Sequence, residues 1–121
     1  MKFFVLFGVA LGLAAAAELY SSENDNIDIE GILSRSEEFK GLVDCFLDRG
    51  PCDAVAADFR KDLPEAVEQS CAKCTDAQKH LFNRFLGGLK EKSPQDHDAF
   101  KAKYDPENKY FGELEQAVAN A

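Results

Sequence analysis

Four cysteines in two tight pairs constrain this chain more than any other feature: CFLDRGPC at residues 45–52 and CAKC at 71–74, with 18 residues between the pairs. Thiols so placed can grip a metal, run redox chemistry or staple a fold. Zinc needs four thiolates, and C-x2-C is a common half-site, but C-x6-C is not. A redox use of Cys71-Ala72-Lys73-Cys74 would resemble thioredoxin, whose motif sits beside a βαβ pattern; no strand alternation appears anywhere in this chain. Staples are the favoured reading. Four cysteines allow three connectivities, and spacing alone does not choose among them.

The N-terminus speaks to redox compartment. One lysine, Lys2, precedes the apolar run FFVLFGVALGLAAAA, which closes on small residues and an A-x-A site at Ala15-Ala16-Ala17. That order predicts a secretory signal peptide over residues 1–17, cleaved after Ala17 or one residue earlier. The run is about 15 residues, short of the ~20 a spanning helix needs. No later stretch is apolar enough to span, so a soluble, extracellular product over 18–121 with no stable membrane insertion is expected. Without Lys2, 13 basic side chains face 22 acidic ones. A phosphate backbone would repel such a surface, which argues against nucleic acid and against anionic membrane as partners.

From Asn26 onward the chain reads as helices punctuated by caps. Ile29, Ile32 and Leu33 share one face. Ser34 and Glu37 form an S-x-x-E capping box ahead of Phe39, Leu42, Val43, Phe46 and Leu47, spaced i, i+3, i+4, i+7 and i+8. Gly50-Pro51 stops that helix. Asp53 is an expected N-cap, and Pro64 fits the first turn of a further helix. Thr75 can cap a long helix bearing Leu81, Phe82, Phe85, Leu86 and Leu89, with an uncertain end near Gly87-Gly88. Ser93-Pro94 opens another, carrying His97, Phe100 and Tyr104, and Asp105-Pro106 repeats the signal before Tyr110, Phe111, Leu114 and Val118. The fold class is all-α: about six short helices in one domain.

The pattern C-x6-C-x18-C-x2-C, with DNIDIEGIL, LPEAV, CAKCTDAQK and KAKYDPENKY in order around it, resembles the arthropod chemosensory proteins, the OS-D or A10/pheromone-binding-like family. The resemblance covers nearly all of residues 18–121. It implies neighbour-paired disulfides, Cys45–Cys52 and Cys71–Cys74, and six helices around an apolar channel. It also implies reversible binding of long-chain alcohols, acids, esters or pheromone components, with no cofactor and no metal. A monomer is expected, and a chemoreceptor is the macromolecular partner such a carrier would meet. Some positions depart from the family. Asn24 stands where a tyrosine usually precedes D-N-I-D, His97 stands at the usual tryptophan, and Ala54-Val55-Ala56 replaces a P-D-G turn. The more N-terminal tyrosine of the family is matched by Tyr20.

Periodicity cannot tell a core from a cavity wall; with the resemblance, a cavity is the better reading. The expected wall is Leu42, Phe46, Phe59, Leu63, Val67, Phe82, Phe85 and Leu86, joined by Tyr20, His97 and Phe100. Gln78 is expected to give a ligand head group one polar contact. The rival from another class is a calcium loop. In NIDIEGILSRSE, residues 26–37, Asn26, Asp28, Glu30, Gly31, Ser34 and Glu37 fall at EF-hand positions. An enzyme is not expected: the two histidines, His80 and His97, lie in different helices, and no nucleophile motif or phosphate loop is present.

Overall fold

The computed structural model describes residues 18–121; the expected signal peptide, residues 1–17, lies outside the described residues. Six helices follow: α1 (Ile29–Ser34), α2 (Ser36–Phe46), α3 (Ala54–Glu68), α4 (Asp76–Lys92), α5 (Pro94–Tyr104) and α6 (Phe111–Val118). The all-α expectation holds among the described residues.

The caps show where sequence chemistry sets the boundaries and where it does not. Asp53 accepts from the Ala56 N–H at 2.8 Å and starts α3 as expected. Thr75 accepts from the Gln78 N–H at 3.1 Å while Gln78 Oε1 accepts from the Thr75 N–H at 3.0 Å, a reciprocal capping box. The box expected at Ser34 and Glu37 does not form. Ser34 closes α1 by donating its hydroxyl back to the Gly31 carbonyl at 2.8 Å, and Arg35 is the cap of α2, its side chain paired with Glu38 and capping no backbone N–H. Pro64 begins no new helix. It lies inside α3 on an exposed position, where water can reach the carbonyl its missing N–H leaves free. Gly87-Gly88 does not end α4, which runs on to Lys92.

Asp105-Pro106 does not open the last helix either. The buried Asp105 carboxylate reaches forward instead, accepting from the N–H groups of Lys109 (2.8 Å), Tyr110 (3.0 Å) and Phe111 (3.0 Å), and α6 starts at Phe111. Burial opposes its charge, yet those three donors hold the Asp105 carboxyl below the usual carboxylate range.

Helix α4 is the axle of the packing: α1, α5 and α6 lie against it, while α3 packs on α2, α5 and α6. Phe39 and Phe46 from α2 meet Phe85 of α4 at ring-centroid distances of 5.8 and 5.4 Å. Phe85 meets Phe100 of α5 at 5.6 Å, and Phe100 meets Phe111 of α6 at 6.1 Å. These tilted and edge-on pairs form one aromatic chain through the molecule.

Sulfur joins Cys45 to Cys52 and Cys71 to Cys74, as the resemblance implied, with Cα–Cα distances of 5.0 Å in both. Each staple accompanies backbone that side chains seldom adopt: Asp48 inside the first ring has φ 62°, and Ser70 and Cys71 at the second have φ 55° and 59°. No glycine occupies these left-handed positions, so the disulfides hold turns that are locally unfavourable.

Candidate functional site

Five segments line an apolar cavity of about 80 Å³. The irregular N-terminal segment contributes Tyr20 and Ile27, and α1 contributes Ile29. Leu42 and Phe46 come from α2 at i and i+4. Helix α3 gives Phe59, Leu63 and Ala66, with Asp58 and Asp62 along the adjacent edge. Cys74 precedes α4, which brings Gln78, Leu81, Phe82 and Phe85 at helical spacing. Phe59 and Phe82 are half-buried, whereas Leu63, Leu81 and Phe85 are buried.

Of the residues expected from sequence, Tyr20, Leu42, Phe46, Phe59, Leu63, Gln78, Phe82 and Phe85 meet around this space. Val67, Leu86, His97 and Phe100 do not line it. Phe100 lies one layer behind, edge-on to Phe82 at 6.4 Å and tilted against Phe85. His97 is farther still: its imidazole, 7% exposed, stands edge-on to Phe111 at 5.9 Å. Burial lowers the His97 pKa; Glu115 and Asp98 oppose the shift, and Lys90 and Lys101 reinforce it. Ile27, Ile29, Ala66, Cys74 and Leu81 complete the wall unforeseen. Asp58 and Asp62 flank Phe59 and Leu63 in sequence, and that adjacency on α3 was the available signal.

One end of the cavity is tied together by polar bonds. The Tyr20 N–H donates to the Lys73 carbonyl at 2.8 Å, and its hydroxyl donates to Glu65 Oε1 at 2.7 Å. Burial and that bond raise the Tyr20 pKa; the same bond, with Lys73, lowers that of Glu65. Asn24 Nδ2 donates to Asp58 Oδ2 at 2.9 Å. Gln78 Nε2 donates to the Ser21 carbonyl (2.8 Å) and to Asp25 Oδ1 (2.9 Å), and the Thr75 hydroxyl donates to Asp25 Oδ2 at 2.8 Å. Gln78 lines the cavity with both N–H donors committed within the protein, so what it can still offer a guest is the second lone pair of its Oε1. The N-terminal segment is strapped across α3 and the start of α4.

The residues of the calcium reading are dispersed. Asp28 Oδ1 accepts from the Gly31 N–H at 3.0 Å to cap α1, and Glu30 pairs with Arg84 of α4. Ser34 and Glu37 lie on two different helices. A coordinating loop would need all of 26–37 to wrap one point; helix formation by Ile29, Ile32 and Leu33 prevents it.

The fold is similar to that of a solved protein, and the sequence matches a known family. Residues 20–112 match the insect pheromone-binding family A10/OS-D, and the chain belongs to that family. It is 37% identical over 115 residues to allergen Tha p 1 of Thaumetopoea pityocampa, covering 91% of this chain and 89% of that one. It is 32% identical over 109 residues to ejaculatory bulb-specific protein 3 of Drosophila melanogaster, covering 88% and 86%. Among solved structures, a chemosensory protein in complex with bromo-dodecanol superposes with a TM-score of 0.74 at 28% identity, covering 80% of this chain and 97% of that one.

Proposed function

We propose that this protein is a carrier that reversibly binds small hydrophobic molecules in the cavity between α2, α3 and α4. The observation that carries the reading is the apolar, aromatic-lined space with its polar, strapped end, in a chain of the insect pheromone-binding family. Each buried methylene is worth about 0.8 kcal/mol, so an alkyl chain threaded along these rings gains affinity with length. The cavity is smaller than the several hundred Å³ of a typical ligand pocket. A long chain enters by turning aside half-buried rings, of which Phe59 and Phe82 are two. The ligands in view are long-chain alcohols, acids, esters, odorants or pheromones.

A secreted monomer completes the proposal, with residues 1–17 removed as a signal peptide and a chemoreceptor as a further partner. Two disulfides suit an oxidising extracellular compartment, and no helix among the described residues is long and apolar enough to cross a membrane. Family membership supports binding rather than catalysis. Native mass spectrometry of protein taken from its own tissue should find a non-covalent apolar guest and a chain starting at or next to Glu18. Protein from that tissue that is always empty, and that takes up no guest on incubation with tissue lipid, would contradict the carrier reading.

A further inference from the structure

The cavity's polar end is one-sided in both charge and hydrogen bonding. Among its lining residues the only charged side chains are Asp58 and Asp62, one turn apart on α3; no lysine, arginine or histidine lines it. One cation, Lys61, serves both, with Nζ at 2.7 Å from Asp58 and 3.6 Å from Asp62, so the group keeps a net negative charge. The next cation, Lys73, is tied to Glu65 at 3.4 Å. Most donors nearby are already given: Tyr20 O–H to Glu65, Asn24 Nδ2 to Asp58, and Gln78 Nε2 to Ser21 and Asp25; the exposed Ser21 hydroxyl accepts from the Glu23 N–H and keeps its own proton free at the rim. The bonds from Lys61 and Asn24 keep Asp58 ionised. What remains for a guest are the spare lone pairs of the two carboxylates and of Gln78 Oε1, against a single neutral hydroxyl at Ser21.

Resting on the carrier reading, we infer that Asp58 and Asp62 make this cavity selective for chains whose head donates a hydrogen bond and bears no negative charge. Long-chain alcohols and protonated amines satisfy the free acceptors. A methyl ester offers no donor and forfeits that bond. A fatty-acid carboxylate meets like charge where the surroundings are partly desolvated, and like charges so placed repel strongly. The order of affinity is amine or alcohol first, then ester, then acid.

The test uses the delipidated protein with N-phenyl-1-naphthylamine as probe, displaced near neutral pH by hexadecylamine, hexadecanol, methyl palmitate and palmitic acid below their self-association concentrations. Hexadecanol should displace the probe at about tenfold lower concentration than palmitic acid. In Asp58→Asn/Asp62→Asn, whose folding is checked by circular dichroism, the acid should gain about tenfold while the alcohol stays within about twofold. The exposed pair Glu91→Gln/Glu113→Gln, outside the cavity lining, changes net charge equally and should leave the ratio unchanged. Palmitic acid binding as well as hexadecanol, or a ratio unmoved by the aspartate substitutions, overturns the head-group assignment and leaves the carrier standing. No uptake of probe or of any of the four chains by folded protein overturns both.

Discussion

At His97 the chain places a titratable ring where the family's resemblance calls for a large aromatic, and the ring packs on Phe111 instead of the cavity. Its protonation therefore acts on folding before it acts on binding. An unfolded histidine takes up a proton near pH 6.5, whereas the folded ring, held lower by burial, does so only in more acidic solution. Between those points the unfolded state binds more protons, so stability is insensitive above about pH 6.5 and falls as pH drops below it. The melting temperature should decline from neutral pH toward pH 5.5 in the wild type and hold nearly constant in His97→Phe. Equal decline in both proteins would remove His97 as the cause. The carboxylates act lower: Asp58, held down by Lys61 and Asn24, and Asp96, held down by Arg49, contribute stability above about pH 4 that is lost as pH falls through their folded values. Legibility at this scale depended on neighbours. Leu42, Phe46, Phe59, Leu63, Phe82 and Phe85 were readable as inward-facing because helical spacing put each on an apolar stripe, and as wall only through the family resemblance. The same stripe holds Val67, Leu86 and Phe100, and only tertiary placement decides which ring faces a gap and which backs another ring.

At the scale of elements, the contact of α1 with α4 turns on one glycine. A Cβ added at Gly88 would sit 2.4 Å from Leu33 Cδ2, whereas one at Gly87 meets nothing nearer than Arg84 at 3.9 Å. Gly88→Ala should therefore destabilise by about 1–3 kcal/mol through forced movement of Leu33. Gly87→Ala, at an exposed helix-interior position, should stabilise by about 0.5–1 kcal/mol. Urea denaturation of the two variants checks both signs; a destabilised Gly87→Ala with a neutral Gly88→Ala would place the close approach elsewhere. A sequence shows two adjacent glycines and suggests a weak helix end, because the partner helix that needs the gap is more than 50 residues away. The existence of the helices was legible from apolar periodicity and from Asp53, Thr75 and Ser93-Pro94. Their joints were less so. Ser34 satisfies its own helix, Pro64 is carried on an exposed face, and the buried Asp105 gathers donors from beyond the next turn. Each outcome is set by burial, which periodicity does not report.

Over the whole molecule, two small rings and an aromatic spine share the task of holding a partly empty interior. The rings of Cys45–Cys52 and Cys71–Cys74 close only 7 and 3 residues of separation, and chain entropy assigns each about 2 kcal/mol. Replacing either pair by serine should lower unfolding stability by about that amount, and replacing both by about 4 kcal/mol, since the two sites are separate. Loss of all cooperative unfolding on removing one pair would show that the left-handed turns at Asp48 or at Ser70 and Cys71 depend on the covalent bond alone. The fold class, the cysteine pairing and the cavity's main walls were all within reach of the sequence once the resemblance was admitted. The acidic, donor-poor end of the cavity was not, because it depends on which partner each donor of Tyr20, Asn24 and Gln78 has taken. The central claim is that the space between α2, α3 and α4 accepts an alkyl chain. Isothermal titration of folded, delipidated protein with a long-chain alcohol tests it most directly. Saturable micromolar binding that weakens when Phe85 is replaced by a polar residue in a variant that still folds is the predicted result, and heat no greater than dilution across alcohols, esters and acids would contradict it.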